Sequence, residues 1–156
     1  MTPLTFDLPE PHVLDVVVGP ADIDAYRHVN NAVYITWLDR AAWSHSAALG
    51  LPIARCLELD RGMAVLRTLI TYLRPALCDD ALLVATWILP AQSRLCVRRR
   101  FQVTRPADGA TLARAEVEYA CLELSSGKPA RWPREFRERY VGLPSVMSAY
   151  PNLAVL

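Results

Sequence analysis

A chain of 156 residues with 53% hydrophobic side chains has the size of one domain and should bury roughly 70% of its unfolded surface. Lys and Arg number 17 against 16 Asp and Glu, a formal net charge of +1, which excludes a global field drawing the chain onto nucleic acid or an anionic membrane. No run approaches the ~20 apolar residues of a membrane span, and the start, Met-Thr-Pro-Leu-Thr-Phe-Asp-Leu-Pro-Glu-Pro, lacks the basic and apolar segments of a secretory signal. The expectation is a soluble, cytoplasmic protein with neither a nucleic-acid nor a membrane partner. Cys56, Cys78, Cys96 and Cys121 stand singly, without the close Cys or Cys/His pairs that hold zinc, so they are read as reduced packing residues and no metal site is expected.

In chain order, His12 to Val18 predicts a strand rich in β-branched residues and stopped by Gly19-Pro20. From about Asn31 to Leu49, Val33, Tyr34, Trp37, Leu38, Ala41, Ala48 and Leu49 mostly follow helical spacing, which predicts one long, largely buried helix. Asn30 or Asn31 can cap its start, and Gly50 and Pro52 stop it. After an irregular stretch around Pro52 to Gly62, four extended segments follow at about Met63 to Leu73, Ala81 to Leu89, Arg94 to Thr104 and Leu112 to Leu124. Breaks at Arg74-Pro75, Pro90-Ala91-Gln92-Ser93 and Pro106-Ala107-Asp108-Gly109 are each short enough to join antiparallel neighbours.

The third and fourth segments alternate. Leu95, Val97, Phe101 and Val103 oppose Arg98, Arg100 and Gln102, while Ala113, Ala115, Val117, Tyr119 and Cys121 oppose Arg114, Glu116 and Glu118. A short helix is predicted from Pro133 to about Tyr140, and the tail from Ser145 is expected to be loosely held. The fold class is α+β with elements in the order β-α-β-β-β-β, in a single domain of residues 1–156 whose core spans about 12–140.

The densest chemistry lies in Asp22-Ile-Asp24-Ala-Tyr-Arg-His28-Val-Asn30-Asn31, a turn opening directly into the long helix. It sets carboxylates and a histidine beside the N–H groups of a helix start, an arrangement suited to attacking one atom while polarising its neighbour. Hydrolysis of a thioester requires both parts: a nucleophile or water-activating base, and donors where charge develops on oxygen.

With Tyr34 and Trp37-Leu-Asp39, this motif resembles the hotdog-fold thioesterases, in the branch of 4-hydroxybenzoyl-CoA thioesterase and the short bacterial acyl-CoA thioesterases. The likeness runs from about Val13 to Tyr140, with weaker echoes at Tyr72-Leu-Arg-Pro75 and Leu124-Ser-Ser-Gly127. It implies a sheet wrapped around the helix, a homodimer joined edge to edge and often paired into a homotetramer, and active sites at the subunit interface. It also implies an acyl-CoA or acyl-carrier-protein thioester as substrate, with coenzyme A part of that substrate and no separate cofactor. A non-catalytic acyl-CoA-binding sensor is the alternative from another class.

The second aspartate, Asp24, falls on the family's catalytic position, as nucleophile or general base; otherwise it is an Asx-turn residue. Asp22 is read as structural and as the fallback nucleophile. His28 is a candidate to orient water or bond a carboxylate. Asn31 and Ala32 offer backbone N–H groups to the carbonyl oxygen, Asn30 holds them in aim, and Tyr34 is a core or substrate-facing aromatic. Arg27 stands where many relatives carry glycine, able to narrow the site or reach a phosphate. Asp39 either helps a neighbouring site or pairs with an arginine. His45 reads as a surface or packing position. Arg98, Arg99 and Arg100 divide between the two faces of one strand, as subunit-facing groups or contacts for coenzyme A phosphates. Arg131, Arg134, Arg137 and Arg139 are similar phosphate candidates.

Overall fold

The computed structural model describes residues 4–90, 93 and 95–152. β1 (His12–Val17), α1 (Asn31–Ala48), β2 (Arg61–Tyr72), β3 (Ala81–Ile88), β4 (Cys96–Arg105) and β5 (Ala110–Glu123) follow in the predicted sequence. The irregular stretch before β2 contains a short helix, α2 (Ile53–Glu58). Arg94, the predicted start of the third extended segment, and Ala91 and Gln92 of the break before it lie outside the described residues. All neighbouring strands are antiparallel, in one five-stranded sheet of order β1-β3-β4-β5-β2. This is the hotdog architecture. No helix among the described residues is long and apolar enough to cross a membrane.

α1 begins where the Asn30 side chain accepts the Ala32 N–H at 2.9 Å and ends at Gly50, whose φ of +84° takes the left-handed conformation glycine tolerates best. Its inward face, Tyr34, Trp37, Leu38, Ala41 and Ala42, is buried against Phe101, Val103, Ala115 and Val117 of the sheet. The opposite stripe, Ile35, Thr36, Asp39 and Arg40, is exposed in the single chain. Burial of α1 is therefore one-sided.

The connection after β2 departs from the sequence expectation of a turn between adjacent strands. β2 pairs with β5, and residues 73–80 cross to β3 on the other side of the sheet. The crossing is anchored at the helix start: the Val29 N–H donates to the Ala76 carbonyl and the Ala76 N–H to Tyr34 Oη, each at 3.0 Å. Tyr72 Oη donates to the Asn31 carbonyl at 3.0 Å. A curled sheet places β2 and β3 on opposite flanks of the helix, so the shortest route runs past the helix end.

The alternation of β4 and β5 holds, but the polar face of β4 is not open to solvent. Arg100 and Gln102 are buried because the N-terminal segment lies over them: Asp7 accepts from Arg100 and Arg114, and Gln102 bonds the Asp7 N–H and the Thr5 carbonyl. Residues near the C-terminus, expected to be loosely held, instead form α4 (Pro144–Ala149) after α3 (Arg134–Arg139). Val146 of α4 packs with Leu8, Trp87 and Leu89 in a second apolar cluster on the outer face of the sheet. Nothing in the helical spacing of residues 145–152 signals that cover, because it is tertiary.

The edges of the sheet are β1 and β2, and β2 carries exposed apolar side chains. Val65, Leu66 and Leu69 there are 53%, 59% and 51% exposed, an apolar edge of the kind that pairs with another strand.

Candidate active site

The turn before α1 is a small hairpin. Ile23 and Val29 form an antiparallel bridge, the Asp24 N–H donates to the His28 carbonyl at 2.8 Å, and the Arg27 N–H closes onto the Asp24 carbonyl at 3.0 Å. Arg27 has φ +64°, the left-handed residue that completes such a three-residue loop and that is usually glycine. That explains why the position favours glycine on backbone grounds. The Arg27 side chain is exposed.

Asp22 holds the turn from below: its Oδ2 accepts the Gly19 N–H at 2.9 Å, and its carbonyl accepts the Asn30 N–H at 2.8 Å. Both contacts agree with a structural role. Asp24 is half-buried; its Oδ1 accepts the Tyr26 N–H at 2.8 Å, while its Oδ2 has no partner among the described residues. The Asx-turn contact thus uses one carboxylate oxygen and leaves the other unpaired among the described residues, and Asp24 is not among the residues that line the cavity at the helix start.

At the helix start the two candidate donors differ. The Ala32 N–H is occupied by Asn30 Oδ1, whereas the Asn31 N–H has no acceptor among the described residues. Of the pair expected from sequence, Asn31 is the donor left for a ligand, because one cap oxygen satisfies one orphan N–H. His28, Asn31, Tyr34, Tyr72 and Arg74 line a cavity of about 240 Å³ there. Tyr34 is both core and wall, its ring against Trp37 and Tyr72 at centroid distances of 5.0 and 5.2 Å. Tyr72 and Arg74 were legible only as the Tyr72-Leu-Arg-Pro75 echo; their place at the site depends on the crossing connection.

Two further cavities follow along the crease between α1 and β2, which run in opposite directions. One of about 420 Å³ is lined by Ile35, Thr36, Asp39, Val65, Thr68 and Tyr119. The next, about 60 Å³, shares Asp39, Val65 and Tyr119 and ends among Ser46, Arg99 and Tyr140. The three cavities thus line up along α1, from Asn31 and Tyr34 through Ile35 to Asp39 and on to Ser46 in its last turn; the second and third share lining residues, the first and second do not. Partial desolvation in the crease raises the carboxyl pKa of Asp39, which is otherwise exposed, and burial pushes the Tyr119 hydroxyl up to about 12, which marks this wall as partly dehydrated.

The three consecutive arginines of β4 part company. Arg98 and Arg100 face outward and pair with Glu116, at 3.8 and 3.2 Å, so neither is a free contact for a phosphate. Arg99 points inward, donating to His45 Nδ1 at 2.7 Å and to Ser46 Oγ at 3.0 Å. His45 is therefore no surface residue: its ring stacks on His12 at 4.8 Å, and burial, with Arg99 and His12 alongside, pushes its pKa down to about 3. Of the C-terminal arginines, Arg134 pairs with Glu138 at 2.6 Å, and Arg137 lines a separate surface cavity.

Known proteins share this fold. The chain is 26% identical over 121 residues to the long-chain acyl-CoA thioesterase FadM of Escherichia coli, a match covering 75% of this chain and 87% of that one. It is 28% identical over 120 residues to the acyl-CoA thioesterase YbgC of Haemophilus influenzae, covering 76% and 86%. The crystal structure of a 1,4-dihydroxy-2-naphthoyl-CoA thioesterase from Synechocystis superposes with a TM-score of 0.75 at 22% identity, over 84% of this chain and 96% of that one. Residues 18–140 match the model of the Thioesterase-like superfamily, and the chain belongs to that family.

Proposed function

We propose that this protein is an acyl-CoA thioesterase, releasing a carboxylic acid and free coenzyme A in the cytoplasm, and that Asp24 drives the reaction. The observation that carries this reading is the unpartnered Oδ2 of Asp24 in the hairpin that delivers the chain into α1, whose first N–H, on Asn31, lies open at a cavity. A thioester carbonyl seated there directs its oxygen toward the Asn31 N–H and the positive end of the helix. Asp24 either attacks the carbonyl carbon, giving a mixed anhydride that water cleaves, or takes a proton from the attacking water. In both routes the C–S bond breaks and coenzyme A leaves as thiolate, so no strong general acid is required.

A positioned base contributes ~10²- to 10⁴-fold and a well-aimed oxyanion donor ~10²- to 10³-fold. His28, lining the same cavity, orients the water or the carboxylate, and Asn30 holds the helix start in register. Arg27 and Arg74, both exposed at this end, are placed to meet the phosphates of coenzyme A. Coenzyme A enters only with the substrate, and no other cofactor takes part.

A homodimer completes the site. Pairing of two β2 edges covers Val65, Leu66 and Leu69 and roofs the open side of the α1/β2 crease; further association into a homotetramer rests on the family resemblance. A panel of aliphatic, aromatic and carrier-protein-bound acyl thioesters assayed for thiol release, alongside chromatographic mass, tests the reading. Turnover by a dimer or larger species supports it, and a fully active monomer or tight acyl-CoA binding without cleavage of any thioester contradicts it.

A further inference from the structure

Resting on that reading, one feature of the crease specifies what the acyl group carries at its far end. Arg99 is 2% exposed, and an arginine cannot shed its charge by deprotonation. A guanidinium has five N–H donors; here His45 and Ser46 are its hydrogen-bond acceptors, and Tyr140 lies beneath it with its ring centroid at 5.7 Å. No carboxylate among the described residues forms an ion pair with Arg99. Beside it stand Tyr119 and Tyr140, with hydroxyl pKa values raised by burial, and His45 and His12, with imidazole pKa values lowered by burial and by Arg99. Asp39 lines the same cavity but makes no ion pair with Arg99.

A buried, unpaired cation is unfavourable unless an anion joins it. The cavity beside it, about 60 Å³, holds a few water-sized groups and has no room for a chain end with bulk. It lies along α1 beyond the middle cavity, with which it shares Asp39, Val65 and Tyr119, at the opposite end of the helix from the Asn31 N–H; residues 31 to 45 of α1 span about 20 Å at 1.5 Å per residue. The middle cavity along that path is lined mainly by apolar side chains, among them Ile35, Leu38, Val65 and Val117.

We propose that Arg99 is a specificity residue that receives a terminal carboxylate, so that the preferred substrate is a coenzyme A monothioester of a long α,ω-dicarboxylic acid. The methylene chain lies along the α1/β2 crease, the thioester sits at the helix start, and the distal carboxylate meets the free N–H groups of Arg99, with Tyr140 and Ser46 fixing the guanidinium.

The test compares carboxyl-terminated and methyl-terminated acyl-CoAs of equal length, short to long, in the wild type and in Arg99→Met. Charge-assisted hydrogen bonds of this kind correspond to about 10- to 100-fold. The wild type should favour the long carboxyl-terminated thioester in kcat/KM by that factor. Arg99→Met should abolish the preference while leaving methyl-terminated substrates within about threefold, a change that loss of a hydrogen-bonded charge alone predicts. Equal or better wild-type turnover of methyl-terminated chains, or equal loss of both classes in Arg99→Met, overturns the proposal.

Should Arg99→Met not fold, calorimetric titration of the wild-type protein with the free long dicarboxylic acid and with the monocarboxylic acid of equal length takes its place. Tighter binding of the dicarboxylate supports the role of Arg99, and equal binding refutes it. The same titration separates the two readings: a protein that binds the dicarboxylate preferentially yet cleaves no thioester keeps the Arg99 site and loses the thioesterase function.

Discussion

Asn30 caps α1 through Oδ1 on the Ala32 N–H at 2.9 Å, and this contact determines which backbone donor remains open at the helix start. Because Ala32 is occupied, the positive end of the helix is presented through Asn31. Asn30→Ala removes the cap and should lower stability by about 1 kcal/mol, with Asn30→Asp close to wild type. Urea unfolding of the three proteins checks this; a neutral Asn30→Ala would mean that the cap does not hold the helix start.

Arg27 occupies the left-handed region at φ +64°, a conformation that costs a residue with a Cβ about 1 kcal/mol relative to glycine. Arg27→Gly should raise the unfolding midpoint modestly and weaken binding of coenzyme A through loss of a cation. Thermal unfolding and KM measured together separate the two effects. A loss of stability on substitution would show that the side chain, not the backbone, dominates this position.

Asp7 receives two hydrogen bonds from Arg114, at 2.7 and 2.8 Å, and one from the buried Arg100 at 3.2 Å. Burial alone would raise its pKa; the bonds and charges of Arg114 and then Arg100 outweigh that and lower it. Asp7→Asn leaves Arg100 with Glu116 alone and should cost about 3 kcal/mol, as expected for breaking a buried pair. Asp108, whose pair with Arg105 lies at the surface, should lose clearly less on the same change. Denaturant curves for both variants decide the comparison, and equal losses would contradict the buried network.

His45 sets the acid response of the helix C-terminal region. Its pKa is about 3 in the fold and near the ordinary value in the unfolded chain, so between roughly pH 6.5 and 3 the unfolded state binds the extra proton. Stability is therefore complete above that window and falls as pH drops through it, by on the order of 3 kcal/mol at pH 4. His12, lowered by burial and by Arg99, acts in the same direction. His45→Gln keeps an acceptor for Arg99 and should flatten the loss between pH 7 and 4. An unchanged pH profile of unfolding would mean that the imidazole is protonated in the native protein.

Much of this was legible in the chain itself, for identifiable reasons. α1 carries its own start and stop in Asn30 and Gly50, and the strands carry period-two alternation, so both emerge from local pattern. The motif at Asp22 to Asn31 is local as well: its hairpin is closed by the Ile23–Val29 bridge, and His28 and Asn31 of it line the cavity at the helix start, whereas Asp24 does not. What the pattern missed is tertiary. The route of residues 73–80 past the helix end depends on sheet curvature, and so does the place of Tyr72 and Arg74 at the cavity. The alternation around Arg99 correctly sent it to the face opposite Arg98 and Arg100, but nothing local reveals that this face meets His45 and Ser46 of α1. The cover over Arg100 comes from a segment more than ninety residues away in sequence, as the Asp7 contact shows, beyond the reach of any local signal.

Asp24 is proposed to perform the chemistry at the open end of α1. The direct measurement is kcat and KM for a cleaved acyl-CoA in the wild type and in Asp24→Asn, with substrate binding to the variant followed by calorimetry. Asp24→Asn should lower kcat by about 10³-fold with binding retained within a few-fold, because the amide keeps the turn contact of Oδ1 but can neither attack nor take a proton. A variant that turns over at the wild-type rate would contradict that role for Asp24.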